Sequence, residues 1–157
     1  MFYVLKNVSL SLKYLPKSVV ILPKYLLKNV IVRMERIVFQ KLIEWKDSTN
    51  RKPLILNGAR QVGKTWLLEQ LGDRYFDKVA YLVCRKNQAL KDVFSQDFDT
   101  DRILRALRAL SGVDITPGDT LIVLDEVQDI PEVIESLKYF CEDAPEYHVA
   151  VAGSLLG

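Results

Sequence analysis

The stretch Gly58-Ala59-Arg60-Gln61-Val62-Gly63-Lys64-Thr65 decides the fold class of this chain of 157 residues. It reads GxxxxGK followed by Thr, a pattern in which the glycines let a loop curl until several backbone N–H groups point into one hollow. The apolar run at residues 53–57 predicts a buried strand before the loop, and the pattern at 64–71 predicts a helix after it. A strand, such a loop and a helix N-terminus together form a phosphate-binding loop, the P-loop.

The residue types within the P-loop suggest individual roles. Lys64 is expected to place a positive charge beside the β- and γ-phosphates, and Thr65 to offer a hydroxyl to Mg²⁺. Arg60 could reach a phosphate or point to solvent. Trp66 is included as a contact, although helix packing explains a tryptophan there better than stacking on the base. The predicted nucleotide contacts are Gly58, Ala59, Arg60, Gln61, Val62, Gly63, Lys64, Thr65 and Trp66.

A second candidate element, the run Leu121-Ile122-Val123-Leu124-Asp125-Glu126, is an apolar strand that ends in two acids. The carboxyl ends of parallel strands line the ligand crevice, so Asp125 is expected to hold Mg²⁺, mostly through water. Glu126 is expected to orient and deprotonate an attacking water, which favours hydrolysis over transfer to an acceptor. The alternative is a pair of solvated acids at the start of a loop.

The end of the last predicted strand supplies a third candidate. Ser154 follows Gly153 there and could contact the γ-phosphate or the attacking water, or it could be an ordinary turn serine. Gln128, two residues beyond Glu126, is a further candidate without an assigned role.

The remaining sequence alternates apolar strands with helices. Gly72 and Gly112 are expected to end the helices that precede them. The alternation predicts an α/β fold, a three-layer sandwich with a mostly parallel sheet between helices. The further predicted strands lie at 79–84, 120–124 and 148–152, and the further helices at 35–46, 90–94, 101–110 and 131–141.

Charge and cysteine content limit the possible partners. Residues 34–157 carry 16 basic and 20 acidic residues, which argues against a general nucleic-acid surface. Arg102, Arg105 and Arg108 could bind phosphates, but a solvated helix face explains them more easily. Cys84 and Cys141 lack metal-ligand spacing and are expected to be reduced thiols of a cytoplasmic protein. No uncharged apolar run is long enough to predict a membrane span.

Residues 1–33 differ from the remainder because they carry six basic residues and no acidic one. They could be a targeting or membrane-surface segment, although Pro16 and Pro23 would interrupt an amphipathic helix. They could instead be a poorly structured tail, or an over-extended gene model whose true start is Met34. We therefore expect the domain to comprise residues 34–157.

Three segments in combination resemble a family of prokaryotic AAA-like P-loop ATPases. They are residues 51–65, 124–128 and 152–156. The resemblance implies ATP as the nucleotide and ATP hydrolysis in a switch or motor module. It also implies that Lys64 and Thr65 are Walker A residues, that Asp125 and Glu126 are the Walker B pair, and that Ser154 is at the sensor position.

The resemblance also predicts that this chain is a fragment. Relatives typically continue through another strand, a helical lid and a C-terminal nuclease-like effector domain, where an arginine finger and a second sensor would lie. Without another strand, the P-loop strand would be a sheet edge, so marginal stability or self-association into a homo-oligomer is expected. Two alternatives to hydrolysis stay open, a non-hydrolysing nucleotide-dependent regulatory module and a phosphoryl transferase.

Overall fold

The computed structural model describes the backbone of residues 3–6 and the whole of residues 37–58 and 63–154. The predicted contacts Ala59, Arg60, Gln61 and Val62 lie outside these ranges. The described strands are β1 (Tyr3–Lys6), β2 (Leu54–Asn57), β3 (Lys78–Val83), β4 (Thr120–Asp125) and β5 (His148–Gly153). The described helices are α1 (37–47), α2 (Lys64–Tyr75), α3 (Gln88–Phe94), α4 (Thr100–Ser111) and α5 (Pro131–Asp143).

The strands form one sheet in the order β1-β2-β5-β4-β3, and every neighbouring pair is parallel. All six residues of β4 and all six of β5 are buried. Strands in the middle of a parallel sheet are covered on both faces, which is why they read as continuous apolar runs. The predicted α/β class with a parallel sheet is confirmed.

Helices cover the two faces of the sheet and make it the middle of three layers. On one face, Ile122 and Leu124 of β4 pack with the apolar sides of α3, α4 and α5. On the other, Leu121 and Val123 pack with α1 and α2. Successive strand residues point to opposite faces, so one strand contributes to both cores.

The P-loop strand β2 is not an edge, and our expectation that it would be one is wrong. Tyr3–Lys6 pairs in parallel along the whole of β2, and β5 pairs with its other side. The backbone N–H and C=O groups on the outer side of β2 can pair with another extended segment. Strand β1, which comes from the basic region before residue 34, is that segment. The outer strands of the described sheet are β1 and β3.

Gly72 does not end its helix, contrary to the prediction. Helix α2 continues to Tyr75, and Gly72 is buried against β3. A Cβ atom at this position would lie only 2.5 Å from Cγ2 of Val79, so the glycine permits close packing of helix on strand. Gly112 does end α4, with a φ of 67° in the left-handed region that glycine adopts readily.

Two of the three arginines on α4 are held by the chain itself. Arg102 pairs with Asp97 at 2.8 Å and donates to the carbonyl of Val93. Arg108 donates through two nitrogens to the carbonyl of Ile115. These contacts brace the loops on either side of α4 and occupy donors that a phosphate would otherwise need.

The described residues contain neither a candidate membrane span nor a disulfide. Nowhere in them is there a helix with the length and apolar character needed to cross a membrane. Both cysteines are free thiols. Burial, reinforced by the charges of Asp125 and Asp129, raises the pKa of Cys84 to about 12, so its thiol stays protonated at neutral pH.

Candidate functional site

A cleft of about 650 Å³ opens at the carboxyl end of the sheet. Parallel strands all end at this edge, so the loops after β2, β4 and β5 meet there. The cleft brings together most of the described residues that the sequence singled out and adds two that it did not, Glu69 and Arg85. Its lining residues are Gly63, Lys64, Thr65, Trp66, Glu69, Arg85, Asp125, Glu126 and Ser154.

Helix α2 begins at the cleft, and its N-cap residue within the described chain is a glycine, which has no side chain to cap it. Gly63 precedes it with a φ of 91°, a conformation that a residue with a Cβ rarely adopts. The first turn carries no acidic residue. The backbone N–H groups of the first turn and the positive end of the helix dipole therefore face the cleft and favour an anion there.

Lys64 is the first residue of α2 and is only 9% exposed. Its Nζ donates to the carbonyl oxygen of Gly58 at 2.8 Å, so it reaches back across the mouth of the loop. Burial lowers the pKa of Lys64, and the negative charges of Asp125 and Glu126 partly offset that effect. The ammonium group thus lies between the loop and the acidic end of β4.

The Asp125 carboxylate is fixed by three hydrogen bonds. The Thr65 hydroxyl donates to its Oδ2 at 2.9 Å, and the Tyr81 hydroxyl donates to the same oxygen at 2.5 Å. The backbone N–H of Glu126 donates to Oδ1 at 2.8 Å. The predicted P-loop threonine and the predicted strand-end aspartate, 60 residues apart in sequence, are therefore in direct contact.

Tyr81 is a residue of the site that the sequence did not predict. It lies within β3, where its register partner is Val123 of β4, and burial together with the Asp125 carboxylate raises its pKa. Its phenol therefore remains a hydrogen-bond donor at neutral pH. The available signal was a tyrosine within an apolar strand, since a buried tyrosine usually finds a partner for its hydroxyl.

The oxygen atoms of Thr65 and Asp125 suit a hard cation that has further ligands from outside the protein. Asp125 and Thr65 supply a carboxylate and a hydroxyl side by side, and oxygen ligands of this kind suit Mg²⁺. The described part of the chain has no group of three or more His, Cys, Asp or Glu side chains that could hold a metal ion. A metal held by Thr65 and Asp125 would take its remaining ligands from water and phosphate oxygens.

Glu126 has an unusual backbone conformation for a glutamate. Its φ of 56° and ψ of 42° lie in the left-handed region, which costs a residue with a side chain about 1–2 kcal/mol. It leads into a 3₁₀ turn at Val127–Asp129, and its carboxylate accepts a hydrogen bond from the side-chain amide of Gln128. Strain of this kind is concentrated at functional sites, where surrounding contacts hold it.

Ser154 and Trp66 complete the wall of the cleft. The backbone N–H of Ser154, just after β5, donates to Oε1 of Gln128 at 3.2 Å. Trp66 is 39% exposed and meets the ring of Phe39 edge-to-face at 6.2 Å between centroids. The tryptophan packs against α1 and also lines the cleft, and its contact with a nucleotide stays a prediction.

Arg85 could have been found from the sequence. It comes two residues after β3, and the rule that placed Asp125 at the end of β4 places Arg85 at the same edge of the sheet. It adds a second cationic side chain to the cleft beside Lys64.

Comparisons with known proteins agree with this architecture. A family model described as an AAA domain matches residues 50–157, which include β2, the P-loop and every strand that follows. Searches of curated proteins and of solved structures found no match. The family match spans more than half of the chain, and on that basis the chain belongs to the AAA domain family of nucleotide-binding P-loop modules.

Proposed function

We propose that this chain binds ATP with Mg²⁺ in the cleft and hydrolyses the bond between the β- and γ-phosphates. The observation that carries the proposal is the contact of Thr65 with Asp125 at 2.9 Å, directly at the N-terminus of α2. An anion site and an oxygen-donor site for a cation lie side by side there, which is what a metal-bound polyphosphate requires.

Binding in this proposal depends on charge and on backbone donors. The start of α2 and the Lys64 ammonium would face the β- and γ-phosphates, and Ala59, Arg60, Gln61 and Val62 are proposed as further nucleotide contacts. Thr65 and Asp125 would hold Mg²⁺, which when bound neutralises charge on the phosphate oxygens. Trp66 borders the same cleft from the helix side.

Hydrolysis in this proposal depends on Glu126. Its carboxylate orients a water in line with the γ-phosphate and accepts the proton as the water oxygen attacks phosphorus. The bond to the β-phosphate oxygen breaks, ADP leaves, and Lys64 stabilises the charge that develops. Ser154, just after β5, lines the same cleft and is proposed to contact the γ-phosphate or the attacking water.

We further propose that nucleotide state controls an effector region of a larger protein. The cleft supplies a site whose charge changes on hydrolysis, and residues 34–157 would form the ATPase core. A prokaryotic origin and a nuclease-like C-terminal effector domain belong to the same proposal.

The test measures Mg-ATP binding by calorimetry and phosphate release by a coupled assay, both on the full chain. Lys64→Ala should weaken binding by about tenfold or more, because a charge-assisted contact to phosphate is lost. Glu126→Gln should retain binding and reduce turnover by roughly 10²- to 10⁴-fold, the usual contribution of a general base.

Matched variants outside the cleft provide the controls. Lys78→Ala removes a lysine that pairs with Asp114 at the opposite end of β3, and Glu44→Gln alters an exposed glutamate on α1. Both should behave as wild type. Binding without turnover in the wild type would favour the non-hydrolysing regulatory module. A folded chain that fails to bind Mg-ATP would refute the proposal.

A further inference from the structure

Gln128 bridges two strand ends at the floor of the cleft. Its Nε2 donates to Oε2 of Glu126, at the end of β4, and its Oε1 accepts from the backbone N–H of Ser154, just beyond β5, at 3.2 Å. One primary amide thus uses its donor on one strand end and its acceptor on the other.

The two partners fix the orientation of this amide. A carboxylate only accepts hydrogen bonds and a backbone N–H only donates one, so a flipped Gln128 would place oxygen against Glu126 and nitrogen against the Ser154 N–H. Glutamate at position 128 would set two carboxylates against each other. Asparagine, shorter by one methylene, would reach only one of the two partners.

Gly153 provides the room that Gln128 occupies. A Cβ atom at position 153 would lie 2.8 Å from Oε1 of Gln128 and 3.0 Å from Cγ2 of Val127. Gly153 is not among the residues with positive φ, so its backbone conformation does not require a glycine. Space for the side chains of Gln128 and Val127 is the physical reason for a glycine here.

The backbone of Glu126 is strained, and its side chain depends on neighbouring residues for its orientation. Its backbone is in the left-handed region, with its N–H held by Oδ1 of Asp125, and the side chain extends from this strained point. Among the described residues, the side-chain amide of Gln128 donates a hydrogen bond that directs the Glu126 carboxylate, and the Lys64 ammonium adds an attractive charge. Any displacement of the β5 end would move the Gln128 acceptor and, through the same rigid amide, its donor.

We propose that Gln128 is a positioning residue that holds the Glu126 carboxylate for catalysis and couples its orientation to the end of β5 at Ser154. The proposal rests on the proposed hydrolytic function. It makes the cleft responsive, because a phosphate group that shifts Ser154 also shifts the base.

Steady-state kinetics separate this role from a merely structural one. Gln128→Ala should lower kcat by about 10- to 100-fold, because misplacement of a reacting group by about 1 Å has an effect of that size. The KM and the calorimetric Kd for Mg-ATP should change by less than about twofold. The matched control is Gln40→Ala, which removes an exposed Gln–Glu pair on α1 and should change nothing.

Two double-mutant cycles test whether Gln128 acts through Glu126 and whether Gly153 acts through Gln128. Adding Gln128→Ala to Glu126→Gln should cause no further loss of kcat, because the base is already gone. Gly153→Ala should lower kcat in the wild type, and the loss should be smaller when position 128 is already alanine, because only the close contact with Val127 then remains. Additive losses in either cycle would overturn the proposal.

A structural readout does not depend on turnover. The amide ¹⁵N resonance of Ser154 should shift in Gln128→Ala and also in Glu126→Ala, since the chain of bonds connects them, and it should not shift in Gln40→Ala. A Ser154 resonance unchanged by Glu126→Ala would overturn the coupling.

The failure of this inference is distinguishable from failure of the proposed function. If Glu126→Gln abolishes turnover and Gln128→Ala leaves kcat intact, the positioning role alone is wrong. If Glu126→Gln retains full turnover, the base role is wrong and the catalytic part of the inference is overturned with it.

Discussion

Acidification is expected to destabilise the fold through His148, the first residue of β5 and the chain's one histidine. Its side chain is 5% exposed and packs edge-to-face on Phe76 and Trp45. Its Nε2 lies 3.3 Å from the Lys46 carbonyl, and its Nδ1 is buried with no hydrogen-bond partner in the described residues. The ring is thus well placed as a neutral imidazole and poorly placed as a cation.

Burial is the main cause that lowers the pKa of His148 from 6.5 to about 4. The positive charges of Arg51 and Lys46 lower it further, while the Lys46 carbonyl and Asp47 act in the opposite direction. The unfolded chain therefore takes up a proton at a higher pH than the folded chain. The stabilisation is complete above about pH 6.5 and is lost as the pH falls towards about 4.

The magnitude follows from this difference in pKa. Between the folded and unfolded pKa values, each pH unit changes the free energy of unfolding by about 1.4 kcal/mol, and the change is smaller close to pH 6.5. Lowering the pH from about 7 to 5 should therefore reduce the free energy of unfolding by about 2 kcal/mol. Carboxylates with ordinary pKa values contribute little above about pH 5.

Urea denaturation at several pH values between about 5 and 7 measures the effect. The matched variant is His148→Gln, which does not titrate and keeps a donor for the Lys46 carbonyl. Its free energy of unfolding should be lower than that of the wild type at neutral pH and nearly independent of pH. Equal pH dependence in the two proteins would refute the assignment to His148.

Three further predictions concern the cleft and its supports. Tyr81→Phe removes one hydrogen-bond donor to Asp125 and should lower the affinity for Mg²⁺ by about tenfold, measured by titration with Mg²⁺ at fixed ATP. An unchanged Mg²⁺ affinity would contradict the role of Tyr81 in positioning Asp125. Gly72→Ala places a methyl against Val79 and should lower the free energy of unfolding by about 1–2 kcal/mol in urea, and a more stable variant would show that β3 yields easily. Mg-ATP should change the fluorescence of Trp66, which faces the cleft while the other tryptophan is buried, and Trp66→Phe should abolish the change.

The sequence predicted the parts of the site that local chemistry determines. The P-loop pattern predicted Gly63, Lys64 and Thr65 at a helix start, because that arrangement needs particular residues at fixed spacing. Asp125 and Glu126 followed from the end of an apolar run, since a buried parallel strand must finish at the ligand edge. These predictions needed no knowledge of which strands are neighbours.

Features that depend on pairing between distant segments could not be predicted. The contact of Tyr81 with Asp125 requires the register of β3 on β4, and the bridge made by Gln128 requires β5 to lie beside β4. Gly72 resembled a helix end because glycine commonly ends helices, whereas here it is close packing on Val79 that requires the absence of a side chain. Local pattern does not distinguish these two reasons for a glycine.

The pairing of the P-loop strand also sets an order of events during synthesis. Strand β2 pairs with β5, the last described strand, and β5 separates it from β4. Lys64 thus leaves the ribosome well before Ser154, and at ordinary translation speeds the interval is roughly 5–20 s. Throughout that interval the P-loop lacks the strand that joins it to the acidic end of β4. We therefore expect bound nucleotide to stabilise the finished sheet rather than the growing chain.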